Sequence, residues 1–324
     1  MNYSNIIKVS CFVLLVGCSL TKSQYHEFKE KPHVIIFNQY GNDFTDFHEK
    51  LMELNSLCTA QIDGETSISL QEKLIDVRLA YKKIEFIFDY LEPNYAYLYI
   101  NGGPLPKLHK EVAEIEIIPP NGLQRLDELI FSDDPIEDIS EIAKKTDELV
   151  SAVAFIKDSH LNDTISKQNS IEFLRSGMVR VFTLGITGFD TPGSGNGILE
   201  SIVSLKSMRN AFSFYRKDLN AEQRYIFNKI LALYQKGINQ LEDNQDFNSL
   251  DRLKFLKSVV NPINRELLSF QKAIGIDAPI LVAAIKEQQE LIKGQQKVIQ
   301  ELTARLDRQD EQFSHLKAEI LIKQ

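Results

Sequence analysis

The sequence predicts an all-α fold, an up-and-down helical bundle ending in a coiled-coil helix, and three observations carry that reading. Apolar residues recur three and four positions apart along most of the 324-residue chain, the period of a helix with one buried face. Breakers fall where these stretches end, at Pro93, Gly188 and Gly275. Beyond residue 276 the pattern changes to a strict seven-residue repeat.

Residues 1–17 read as a lipoprotein signal peptide. Lys8 gives a short positive segment, and Cys11-Phe-Val-Leu-Leu-Val16 is apolar but too short to span a bilayer. Leu15-Val16-Gly17-Cys18 has the form of a lipobox, which makes Cys18 the expected lipidation site and the link to a membrane; an ordinary signal peptide with a chance cysteine is the alternative. Residues 18–43 then form a tether and lead-in, with His33-Val-Ile-Ile-Phe37 as a short extended segment. This places the chain in the bacterial cell envelope, periplasm-facing or at the outer membrane.

Helical periods cover 44–62, 69–92, 122–131, 136–157, 166–184, 197–216, 221–243 and 248–272. Residues 44–275 thus make the bundle, as one large core or two four-helix units joined near 158–165. Ser67 or Ser69, Asp134-Pro135, and Asn220 followed by Glu222 have the character of helix starts. Pro104 to Pro120 reads as a long ordered loop in which Val112-Ala-Glu-Ile-Glu-Ile-Ile118 alternates and suits a local strand. Cys58 continues the series Phe47, Leu51, Leu54 and reads as a buried small hydrophobe; once Cys18 is lipidated it has no thiol partner, so the core must hold the fold. A net charge of −8 argues against nucleic acid, whose phosphates require concentrated Lys and Arg.

The tail, 276–324, is of another kind. Ile285, Ile292, Ile299, Leu306, Phe313 and Ile320 fall every seventh residue, and the row three later is Gln288, Gln295, Leu302, Gln309 and Leu316. Such a repeat indicates a coiled coil, so a homo-oligomer assembled through 285–320 is expected; a helix packed back on its own bundle is the alternative.

Four blocks carry a resemblance: RLAYKKIEFIFDYLEP (78–93), YINGGPLPK (99–107), IIPPNGLQRLDELIF (117–131) and RSGMVRVFTLGITGFDTPGSGNG (175–197). In this order they resemble the N-terminal, haem-free region of bacterial di-haem cytochrome-c peroxidases, itself similar to the imelysin family of helical proteins. The resemblance implies an imelysin-like bundle that binds a partner, a haem protein or another envelope component. The chain carries no CxxCH, so covalent c-type haem is excluded and no cofactor is predicted. Gly185, Gly188, Phe189, Asp190 and Pro192 belong to the family block and are expected first as a structural hallmark. In that role Phe189 would plug the bundle end and Asp190 would cap backbone amides. A docking surface for haem domains is the second reading.

Two constellations are candidate sites. Arg78, Tyr81, Lys82 and Glu85 share one helix, where Lys82 and Glu85 can pair and a buried Glu85 would need Lys82 or Arg78 to neutralise it. They read as a structural ion pair or as a ligand or partner site. Gly122-Leu-Gln124-Arg-Leu-Asp127 stands where imelysin-like proteins carry G-x-H-x-x-E, so Gln124 replaces the histidine and Asp127 the glutamate. The amide is a poor ligand for a transition metal, which makes H-x-x-E proteolysis an unlikely chemistry for these residues; a hard-cation or iron site on Glu85 and Asp127 stays open. The function expected is therefore that of a lipid-anchored, non-catalytic scaffold or binding partner. A binding lipoprotein for a metal or small ligand, linked to iron or redox handling, is the alternative.

Overall fold

A computed structural model describes residues 31–58, 64–108, 115–135, 137–160 and 165–276. The expected signal peptide, Cys18, the expected tether as far as residue 30, the start of the alternating stretch (112–114) and the heptad row 285–320 lie outside these described residues.

The described chain is an all-α bundle. Helix α1 (Pro32–Cys58) buries Ile36, Tyr40, Phe44, Phe47, Leu51, Leu54 and Cys58, an unbroken stripe at steps of three and four. The extended lead-in expected at 33–37 is therefore helix. Proline is well tolerated in a first helical turn, and burying Ile36 and Tyr40 outweighs the weak strand preference of the β-branched run. Helix α2 (Gly64–Leu91) begins before Ser67 and Ser69 and is the centre of the bundle. It is buried nearly all round from Val77 to Phe88.

After α2 a helical turn, Pro93–Tyr95, runs into a π-helical turn, Ala96–Ile100. Four short strands follow: β1 (Asn101–Gly102), β2 (Leu105–Leu108), β3 (Ile115–Ile118) and β4 (Asn121–Gly122). β1 pairs antiparallel with β4 and β2 with β3, so the alternating stretch does form a local strand. Gly122 sits at φ 60°, and a side chain there would collide with the Ile100 carbonyl; only glycine closes this ladder. Helix α3 (Leu123–Ile130) starts at once.

Helices α4 (Ile139–His160), α5 (Asn169–Arg180), α6 (Gly197–Ser213), α7 (Ala221–Glu242) and α8 (Asn261–Ala273) complete the bundle. α5 passes into a second π-helical turn, Val181–Gly185, and α8 is preceded by a third, Leu256–Val260. α7 opens with a capping box: Asn220 accepts from the Gln223 amide and Gln223 reaches back to the Asn220 amide. Gln223, rather than Glu222, is thus the partner.

The apolar interior is one continuous cluster, running from Ile36 on α1 to Ile276, which favours one large core over two four-helix units. Cys58 is buried within it, its Sγ 3.8 Å from the Thr146 hydroxyl. α2 touches α1, α3, α5 and α6, so any polar group on its inner face lies at the middle of the molecule. Among the described residues no helix is long and apolar enough to cross a membrane.

Candidate functional site: a buried charge cluster beside a cleft

Arg78, Lys82, Glu85 and Asp89 follow one another at steps of four, three and four, which puts them on one face of α2. That face meets the end of α5, the glycine-rich loop 186–196 and the first turn of α6. Each supplies a charge: Arg180 from α5, Asp190 from the loop and Glu200 from α6.

Arg78 is fully buried and clamps several elements together. Its Nε and Nη2 donate to Glu200 at 2.5 and 3.0 Å, its Nη1 to the Leu123 carbonyl and its Nη2 also to the Asp190 carbonyl. Lys82, 3% exposed, donates to Glu85 at 2.7 Å and Asp190 at 2.9 Å, with Glu200 at 3.6 Å. Burial alone would lower the Lys82 pKa; Asp190, Glu85 and Glu200 overcome it and hold the ammonium above its ordinary range. Arg180 faces Glu85 at 3.0 Å, Asp89 at 2.8 Å and Asp190 at 3.7 Å. For the Asp190 carboxyl, burial would raise the pKa, but Lys82 and Arg180 bring it down to about 2.

Asp89 behaves differently. Burial pushes its pKa up to about 6 despite Arg180, and Glu85 adds to the rise. Tyr81 donates its hydroxyl to Asp89 at 2.7 Å, and burial with the neighbouring Asp89 and Glu85 keeps that phenol well above its ordinary value.

The ion pair expected between Lys82 and Glu85 is therefore present, within a larger network. Arg180 lies inside the fourth block, and Glu200 just beyond it; neither was singled out from sequence. Their contacts with α2 span about a hundred residues, which no local spacing reports. A local signal did exist: Glu200 sits in Ile198-Leu-Glu-Ser-Ile-Val203, an apolar stretch with no cation three or four residues away.

Gln124 and Asp127 fasten the loop. Gln124 donates to the Phe189 carbonyl at 2.9 Å, and Asp127 accepts from the Gly193 and Ser194 amides at 2.7 and 3.0 Å. Asp127, not Asp190, is thus the carboxylate that caps backbone amides, because a side chain on Gly193 would collide with the Asp127 carbonyl and the bare backbone can approach α3. Asp190 instead turns inward to Lys82. Gly185 and Gly197 approach so closely that a side chain on Gly197 would strike the Gly185 carbonyl. Gly188, at φ 76°, faces the Phe247 ring. Phe189 is 40% exposed and does not plug the bundle, while Pro192 lies on the surface.

Glu85 and Asp127 are committed to separate partners, Lys82 with Arg180 and the loop amides. Among the described residues no group of three or more His, Cys, Asp or Glu side chains is arranged to hold a metal ion.

Phe189 borders a cleft of about 340 Å³, lined also by Asp89, Tyr97, Asn101, Arg180 and Thr183. It lies against the first and second π-helical turns, whose extra residue re-aims side chains. Asn101, just after the first turn, is 4% exposed, and neither polar atom of its side chain has a protein partner. Leaving such groups unpaired costs about 1–3 kcal/mol each. Asp89 and Arg180, 15% and 23% exposed, present the charge cluster to this cleft.

Compared with known protein families and with curated proteins, the chain matches none.

Proposed function

We propose that this chain is a non-catalytic binding module of the bacterial cell envelope, tethered through Cys18, whose helical bundle holds a small polar ligand in the cleft beside the charge cluster. The cleft beside the charge cluster carries this reading: Asp89, Arg180 and Asp190 of the network line it, and so does Asn101, whose buried side-chain donor and acceptor lack protein partners. Arg78, Lys82, Gln124 and Asp127 act as its frame, holding α2, α3, the 186–196 loop and α6 in fixed relation. The imelysin-like resemblance supports a binding role of this type, and the heptad row 285–320 supports assembly of several copies.

Native mass spectrometry of the full chain, after incubation with a small-molecule extract of envelopes, tests the proposal. A bound adduct that disappears in Val179→Trp, which fills the cleft, and in Asn101→Leu is the expected result. An adduct retained unchanged in both variants, or none at all, would overturn it.

A second reading follows from exposed Tyr99 and Phe155, which both pack on Tyr95 (ring centroids 4.7 Å to Tyr99 and 6.1 Å to Phe155). A haem protein or other envelope component docking there fits the peroxidase resemblance. Pull-down from solubilised envelopes with haem staining separates it from the first reading, since Tyr99→Ser would then release the partner and leave the cleft intact.

A further inference from the structure

Resting on the tether reading above and independent of the cleft, we infer that one end of the bundle is a docking face for an anionic phospholipid surface, the membrane to which Cys18 ties the chain. Five elements start or stop at this end: α1 at Pro32, α5 at Asn169, the short 3-10 helix Phe214–Arg216 that follows α6, α7 at Ala221 and α8 at Ala273. Contacts join them. The Ser170 and Tyr215 hydroxyls share a hydrogen bond, Gln223 Nε2 donates to the Ala273 carbonyl at 2.8 Å, and Lys167 Nζ donates to the Ile274 carbonyl at 3.2 Å. α1 meets the same group at His33, whose pKa is lowered by burial and then by Lys31 and Lys167.

The charge of this end is opposite to that of the chain. Residues 31–35, 165–170, 214–224 and 272–276 carry Lys31, Lys167, Arg216, Lys217, Arg224 and Lys272 against only Asp218 and Glu222, whereas the whole sequence has a net charge of −8. All six cations are exposed. On the flanks, by contrast, Lys73 is met by Glu53 at 2.8 Å, Arg125 by Glu141 at 2.8 Å and Lys206 by Glu242 at 2.7 Å. Here Lys167 and Arg224 donate to backbone carbonyls, those of Ile274 and Leu219, which leave the positive charge uncancelled. Tyr225, the residue after Arg224, is 69% exposed. An amphipathic ring among Lys and Arg side chains suits the headgroup layer of a bilayer.

The occupant follows from where the chain is anchored. Cys18 precedes Pro32 by fourteen residues, at most about 50 Å of chain even when fully extended. A lipid on Cys18 therefore keeps the start of α1 close to the bilayer. Attraction between exposed charges fades beyond about 10 Å in salt, so the tether supplies the encounter and the cations supply the orientation. Each Lys or Arg near an anionic membrane contributes about 1 kcal/mol, and the acidic remainder of the chain is repelled by the same surface. α5, 12 residues long, runs from this end to Arg180, so docking would hold the cleft no more than about 18 Å from the headgroups.

The test uses the full chain carrying Cys18→Ser, which cannot be acylated, sedimented with vesicles of phosphatidylcholine alone or mixed equally with phosphatidylglycerol. Any contribution of the apolar residues 11–16 is common to both vesicles. Expected is binding at least about tenfold tighter to the phosphatidylglycerol vesicles, weakening as salt is raised. Lys167→Gln, Arg224→Gln and Lys272→Gln should each lower that affinity about fivefold, while Lys206→Gln on a flank leaves it unchanged. The comparison of the two vesicles stands even if a variant folds poorly. Equal affinity for both vesicles would overturn the docking face, and so would a loss in Lys206→Gln as large as in the other three. Mass spectrometry of Cys18 in the wild-type chain, made in a bacterium, reads the tether separately. An acylated Cys18 without the phosphatidylglycerol preference keeps the tether and removes the docking face; the preference with an unmodified Cys18 does the reverse.

Discussion

Two regions of the interior are built on opposite principles. Around Phe212, four rings from α6, the turn after it, α7 and α8 pack together, with Phe227 and Phe270 at 5.2 and 5.0 Å and Tyr215 at 5.9 Å. Around Lys82, charged groups from α2, α5, α6 and the glycine-rich loop neutralise one another. The first is held by area and shape, which tolerate small exchanges of volume. The second is held by direction and stoichiometry, which do not. The cleft, with its unpartnered amide, adjoins the second. Polar networks of this kind are costly to bury, and every member depends on its neighbours.

The comparison can be broken most severely at Arg78. Arg78→Met leaves Glu200 and two carbonyls buried without their donor and should cost about 3–5 kcal/mol in urea unfolding. Phe212→Leu, a change of comparable size in the aromatic cluster, should cost only about 1–1.5 kcal/mol. If both cost the same, the contrast fails.

Asp89 sharpens the contrast through pH. Its folded pKa of about 6 lies above the ordinary 3.8, so between those values the folded chain holds a proton the unfolded chain has released. Stability from this group is greatest below about pH 4, declines as pH rises through about 6, and is then constant. Subtracting the stability–pH curve of Asp89→Asn from that of the wild type should isolate this decline; a flat difference would contradict it. The smallest effect is expected at Asn101. Asn101→Leu removes two unpaired polar atoms at similar volume and should raise stability by up to about 1 kcal/mol, where an ordinary structural asparagine would lose stability. Differential scanning calorimetry distinguishes the two signs.

Local periodicity made the bundle legible. The stripe Phe47, Leu51, Leu54 and Cys58 places α1, and the alternation before Ile118 places β3. The first turns of α1 read as extended because Val34, Ile35 and Ile36 favour strands in isolation, while the burial of Ile36 and Tyr40 in the core decides for helix. For the site, the α2 charges could be found because they share a helix. Arg180 and Glu200 could not be assigned partners, since pairing across elements depends on how α5 and α6 pack on α2. The π-helical turns were invisible for a related reason: one added residue slips the apolar pattern without interrupting it.

Those turns make the cleft a matter of residue number. Taking one residue out of 96–100 would restore the α-helical ladder and swing Asn101 about 100° around the axis. An equal deletion in 181–185 would turn the loop carrying Phe189 and Asp190 relative to α2. Chains with the same bundle and the same charged stripe can therefore gain or lose this cleft by a single codon.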